Sequence, residues 1–168
     1  MTALLQLFFD ICIFRKGPQD VPSSPFLFQL TLAVYGLIGL LLLNLEVDLA
    51  HSLLRLVMEA AMLMGFLYVT LVSAQLKNRL LQTAIAMLGT DAMISAFALP
   101  FLVAISGVEE AKGVYIVLLM LMLWHVAIMG HILRHALSRS YGFGLGLAIF
   151  YFVATFQVMA ALDGIQPQ

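Results

Sequence analysis

Charge is what this 168-residue chain lacks most: Lys, Arg, Asp and Glu together fill 10% of its positions. A soluble domain carries roughly a quarter, so the deficit excludes an ordinary aqueous surface. The formal net charge of −1 excludes the dense Lys and Arg face by which nucleic-acid binders hold phosphates, and no nucleic-acid partner is expected. Cysteine is limited to Cys12. An intrachain disulfide and a cysteine zinc cluster are therefore impossible. Cys12 reads as a small apolar residue of a helix, with lipidation of a juxtamembrane thiol as the alternative.

Catalytic signatures are missing too. No Gly-rich phosphate loop, Ser–His or Cys–His pair, or His-Glu-x-x-His motif occurs. The expectation is a non-enzymatic protein without a cofactor. His131 and His135 have the four-residue spacing of a helical metal pair, but no acidic third ligand is near in sequence. Met58, Met62 and Met64 do not form a repeating array of the kind a thioether copper site would need. His51 and His131 fall at opposite ends of their helices, so they do not match as haem ligands.

What the chain has instead is apolar length. Hydrophobic residues make up 63% of it, gathered into five runs: residues 25–45, 50–76, 80–105, 114–133 and 141–162. About 20 such residues cross a bilayer as a helix. Residues 1–168 thus read as one integral membrane domain, an all-α bundle of five transmembrane helices. Residues 2–14 are too short to span. Leu4, Leu5, Phe8, Phe9, Ile11 and Cys12 cover a wide face, and Gln6 and Asp10 a narrow polar strip. Such a helix lies in the membrane interface or packs on the bundle as an N-terminal extension. It is not a signal peptide, because Arg15 and Lys16 follow its apolar stretch and no small-residue cleavage site appears.

The longest polar stretch, residues 15–25, contains Pro18, Pro22 and Pro25 and cannot propagate a helix. It reads as a stiff elbow into the first span. The remaining connections are short, which makes consecutive spans antiparallel neighbours. Their charges alternate. Arg15, Lys16, Lys77, Arg79, Arg134 and Arg139, six of the eight basic residues, fall at one end of the bundle. Glu46, Asp48, Glu109, Glu110 and Asp163 fall at the other, with Lys112. The positive-inside rule predicts a cytoplasmic N-terminus and an outward C-terminus.

An ionisable residue inside a span is by default a candidate functional site. His51, Arg55 and Glu59 are four apart on the second span, so they share a face. Asp91 lies mid-way along the third span and His125 along the fourth. Counting about 1.5 Å per residue puts Glu59, Asp91 and His125 at one depth. Arg55, Glu59, Asp91 and His125 are therefore the candidate polar cluster: hydrogen-bonding glue between helices, a proton or ion relay, or a contact to a partner protein or lipid headgroup. The eight candidate contacts to lipid phosphates or a partner protein at the basic end are Arg15, Lys16, Lys77, Arg79, His131, Arg134, His135 and Arg139. Gly142 and Gly146, one small-x-x-x-small repeat apart, predict a close helix contact, with Gly36 and Gly39 as possible complements. Pro100 can kink the third span.

Trp124 in span four, the polar turn 133–140 and the Gly-rich start of span five, with Leu88-Gly89 and Leu99-Pro100 in span three, resemble the Yip-domain family of small multispan membrane proteins. That resemblance covers spans three to five and implies partner proteins, which for the eukaryotic members are Rab GTPases and membrane-shaping factors. The family's Tyr-Gly-Pro type signature is absent here. The elbow from Arg15 to Pro22 resembles that of uncharacterised inner-membrane proteins of Gram-negative bacteria, which implies a bacterial inner membrane. The expected function is a multi-pass scaffold or accessory subunit of a membrane complex, in contact with lipid and with another membrane protein or a second copy. The alternative is a small transporter, or a transporter subunit, with the polar cluster as its relay.

Overall fold

The computed structural model of the chain describes residues 2–45, 48–105 and 112–164. Six α-helices account for most of them: α1 (Thr2–Cys12), α2 (Pro25–Leu43), α3 (Leu49–Ser73), α4 (Leu80–Ile105), α5 (Lys112–Leu137) and α6 (Tyr141–Gly164). The last five are long and apolar enough to cross a membrane. Glu46, Glu109 and Glu110, on which part of the charge alternation rests, lie outside the described residues.

Local chemistry sets the helix ends. Pro25 starts α2 because its fixed φ suits the first helical position, and Ser24 Oγ accepts the Leu27 N–H at 3.4 Å. Asp48 caps α3, taking the His51 N–H at 3.3 Å and the His51 ring on the same carboxylate. That hydrogen bond from His51 holds the Asp48 carboxyl below its ordinary pKa. At the basic end, α1, α3 and α5 all finish alike. Phe14, Gln75 and Ser138 adopt φ of 62°, 61° and 53°. The next residue's N–H reaches back five positions in each case, Arg15 to Asp10 O at 2.8 Å, Leu76 to Leu71 O at 2.8 Å and Arg139 to Arg134 O at 3.0 Å. This is the Schellman closure, made three times without glycine. As a result α3 ends at Ser73, short of the expected residue 76, and α5 continues to Leu137, past the expected residue 133.

The five long helices close into a ring. α4 packs along both α2 and α5, α5 packs along α6, and α3 touches α6 on one side and α2 on the other. Consecutive helices do touch, as short connections require. The α2–α4 contact adds a parallel pairing that connection length does not foretell. α4 continues as helix through Pro100.

α1 is docked on the outer side of this ring, along the groove between α4 and α5. Leu7, Phe8, Ile11 and Cys12 are buried against α4 and α5, while Leu5 and Phe9 face outward. The Phe8 ring lies on Gly89, where a Cβ would fall inside it. The Trp124 indole N–H donates to the Cys12 carbonyl at 3.0 Å. Gly89 is nine residues, about 13 Å, into α4, so α1 reaches well along the bundle axis on the outer face of α4. Burial pushes the Cys12 thiol up to about 12. The elbow then crosses the basic end. Asp20 accepts the Gly17 N–H at 2.8 Å, and the carbonyl of the buried Val21 accepts from Gln82 Nε2 at 3.0 Å.

Packing is uneven along the bundle axis. In the basic half Leu67, Leu71, Ile85, Leu88, Ile128, Ile132 and Leu133 are wholly enclosed. From Asp91 toward the acidic end, only Ala92, Ile94 and Ser52 are buried among the described residues of the five long helices.

Candidate functional site

Where the tight half meets the loose half, a cavity of about 360 Å³ lies within the ring. Each long helix gives it one protonatable side chain: Tyr35 from α2, Glu59 from α3, Asp91 from α4, His125 from α5 and Tyr151 from α6. The five come together because they sit near the middle of their helices and the ring order turns those positions inward. Three of them, Glu59, Asp91 and His125, are sequence candidates at one predicted depth. The two tyrosines were not anticipated. The only available signal was a phenol placed mid-span, away from the interfacial level where Tyr usually sits.

His125 Nε2 stands 3.5 Å from Asp91 Oδ1, in ion-pair range but longer than an ideal hydrogen bond. Ser95 lies one turn along α4 from Asp91, and the His125 ring is held edge-on by Phe152 with centroids 5.2 Å apart. The side chains of Asp91 and His125 keep 23% and 24% of their surface accessible, so a water-sized molecule in the cavity touches both. Glu59 and Asp91 are close enough to feel each other's charge. Both tyrosine hydroxyls share the cavity with both carboxyls and feel their charge. Arg55 does not line the cavity. It sits one turn nearer the acidic end of α3 and offsets part of the Glu59 charge from there. Thr155 Oγ1 is buried in the cavity wall, approaching Tyr151 without a well-formed hydrogen bond.

The cavity is closed on one side. Its lining runs along α6 to Phe156 and Met159, toward the acidic end. Toward the basic end it stops at Leu63, Met87 and Met129, beyond which stand the enclosed Leu67, Leu71, Ile85, Ile128 and Ile132. Its volume has room for several water molecules at about 30 Å³ each. Among the described residues no three His, Cys, Asp or Glu side chains are close enough to hold a metal ion. The arrangement thus suits proton exchange between neighbouring groups through water better than the encirclement of a cation.

The basic-end candidates divide. Lys77 and Arg139 are exposed at the surface. Arg79 is a cap: its guanidinium donates to His135 O at 3.3 Å, Ala136 O at 2.9 Å and Ser138 Oγ at 2.8 Å, tying α4 to the end of α5. Arg15, Lys16, His131, Arg134 and His135 converge on a separate cavity. Gly142 and Gly146 have open space around them. The close α5–α6 crossing runs through Gly144, where a Cβ would strike the Gly130 carbonyl and come within 2.8 Å of the Arg134 nitrogen. Two residues along a helix turn about 200°, so Gly144 faces the opposite way from the pair picked by spacing. Gly39, for its part, meets Leu56 of α3 and not α6.

No protein-family model, curated protein or solved structure matches the chain.

Proposed function

We propose that this is a small multi-pass membrane protein that handles protons, a transport protein or the proton-carrying subunit of one. The observation that carries this reading is the central cavity, to which all five long helices each contribute a protonatable side chain. Helix glue alone needs pairs of polar groups, satisfied between neighbours. It does not need a space that leaves Asp91 and His125 accessible and Thr155 poorly bonded. In this reading Asp91 and His125 exchange the proton, Glu59 passes it along the cavity, and the enclosed leucines and isoleucines of the basic half form the barrier. The basic end faces the cytoplasm of a bacterial inner membrane, in keeping with the positive-inside rule.

Infrared titration of the reconstituted protein tests the proposal. A carboxylic C=O band that titrates reversibly and disappears in Asp91→Asn is expected, together with loss of any proton uptake by proteoliposomes. A wild-type protein with neither a titrating carboxyl band nor proton uptake contradicts it.

A second reading, an accessory subunit or scaffold, is favoured by the outer helices. Only 17% of the apolar stretch of α2 and 6% of that of α6 is buried within the chain, leaving most of both for lipid or for another transmembrane helix. The likeness to the Yip-domain family points the same way. Crosslinking in native membranes that recovers a stoichiometric partner on α2 or α6 supports this reading, and recovery of lone monomers counts against it.

A further inference from the structure

A second cavity, of about 520 Å³, opens at the basic end where the turn that follows α1, the elbow, the end of α5 and the start of α6 converge. Arg15, Lys16, His131, Arg134 and His135 line it. Phe14 and Tyr141 frame it with aromatic rings. It is separate from the central cavity and shares no residue with it.

Its charges are mostly unspent. Lys16 Nζ pairs with Asp10 at 3.3 Å, and the other nearby carboxylate, Asp20, accepts the Gly17 N–H and acts at longer range on His135. Among the described residues Arg15 and Arg134 have no carboxylate in ion-pair range. The negative end of α5 would ordinarily repel an anion here. Its carbonyls are already taken, those of His135 and Ala136 by Arg79 and that of Arg134 by the Arg139 N–H. Arg134 therefore need not serve as its own helix cap.

The wall is also held in place. His131 Nε2 donates to the Lys16 carbonyl at 2.9 Å. Its ring meets Phe14 edge-on with centroids 5.2 Å apart and His135 at 4.6 Å. Two arginines on separate elements, facing one space beside exposed aromatic rings at the end of a membrane bundle, match a ligand with an anionic phosphate and an apolar neighbour. The volume falls in the roughly 300–1,000 Å³ range of small-molecule sites, which suits a phosphoglycerol-sized group better than a bare ion.

We propose that this cavity binds a phosphoester anion, of the kind carried by an anionic phospholipid headgroup or by a free phosphate ester. The test measures binding to the full chain in zwitterionic detergent, by native mass spectrometry for lipids and by thermal shift for soluble ligands. The probes are phosphatidylglycerol, phosphatidylcholine, glycerol phosphate and inorganic phosphate. Arg15→Gln and Arg134→Gln are each expected to weaken binding about tenfold, the loss of one charge-assisted contact. Arg139→Gln removes the same charge from an exposed position outside the cavity and is expected to leave binding unchanged. Arg15 lies on the exposed elbow, so its variant reports on the site even if Arg134→Gln disturbs α5. Retention of phosphatidylglycerol over phosphatidylcholine, with this variant pattern, identifies a lipid ligand. The same pattern with glycerol phosphate or inorganic phosphate alone identifies a soluble one. No binding of any probe, or equal weakening by Arg139→Gln, overturns the proposal.

Discussion

In the basic half, Leu67, Ile85, Leu88, Ile128 and Ile132 are wholly enclosed, whereas in the acidic half Leu119, Met120, Leu123, Val153 and Phe156, no less apolar, each keep more than half of their surface exposed. Composition does not separate the two halves. In a bilayer an apolar side chain gains little by leaving lipid for protein, so tight packing depends on shape and on small residues that let backbones approach. The basic half has those residues at its contacts: Gly89 under Phe8, and Gly130 against Gly144. It also has α1 and the elbow as an extra layer, pinned by Trp124, His131 and Gln82. Among the described residues the acidic half has a glycine in close contact only at Gly39, against the Leu56 side chain, and the cavity sits where the two halves meet. On the proposed reading the two halves do different work, a barrier on one side and access on the other.

The contrast is most easily broken at Gly144. A valine there meets backbone atoms of α5 that cannot move aside, and Gly144→Val is expected to yield no stably folded protein in detergent. Gly146→Val, two residues on and facing open space, should change stability by less than about 0.5 kcal/mol. Equal outcomes for the two variants, read by thermal unfolding, would remove the α5–α6 crossing from the account.

A smaller effect is expected from trimming single leucines. Leu67→Ala opens a void in a fully enclosed position and should cost on the order of 1–3 kcal/mol, the cavity part of a large-to-small change without its water-transfer part. Leu119→Ala, at 52% exposure in the acidic half, should stay within about 0.5 kcal/mol. Similar losses at both sites would mean that the halves are equally packed.

The smallest change concerns α1. With its thiol enclosed and raised to about 12, Cys12 should resist maleimide at neutral pH in the folded protein. Gly89→Val pushes Phe8 off α4 and should speed labelling about tenfold or more as the thiol becomes exposed. The same shift has a stability consequence. The unfolded thiol ionises near 9.0, below the folded value, so its contribution is whole below pH 9 and is lost as pH rises toward 12. A Cys12 that labels at the same rate in both proteins would leave α1 undocked from the bundle.

Much of this architecture is legible in the sequence because bilayer thickness translates directly into run length. The depth of Glu59, Asp91 and His125 follows from the same count. What the sequence withholds is rotation. Helices that are apolar on every side carry little periodicity to say which face turns inward, so Tyr35 and Tyr151 went unplaced and the glycine spacing selected Gly142 and Gly146 where Gly144 makes the contact. Helix ends at Phe14, Gln75 and Ser138 were hidden for another reason, since the left-handed closing residue is normally marked by glycine and here it is not. The amphipathic pattern of α1 fits an interface helix and a packed one equally well. Only the Phe8 seat on Gly89 and the Trp124 bond distinguish them.

The central claim, a mid-membrane cavity reached from the acidic end and sealed from the basic end, is tested most directly by single-cysteine accessibility. In a Cys12→Ala background, His125→Cys places a thiol in the cavity where the native side chain keeps 24% of its surface accessible. A charged, membrane-impermeant thiol reagent is then added to one side or the other of oriented vesicles. Rapid labelling from the acidic-end side and none from the basic-end side is the predicted result. Equal labelling from both sides, or labelling only by a membrane-permeant reagent, would contradict the account.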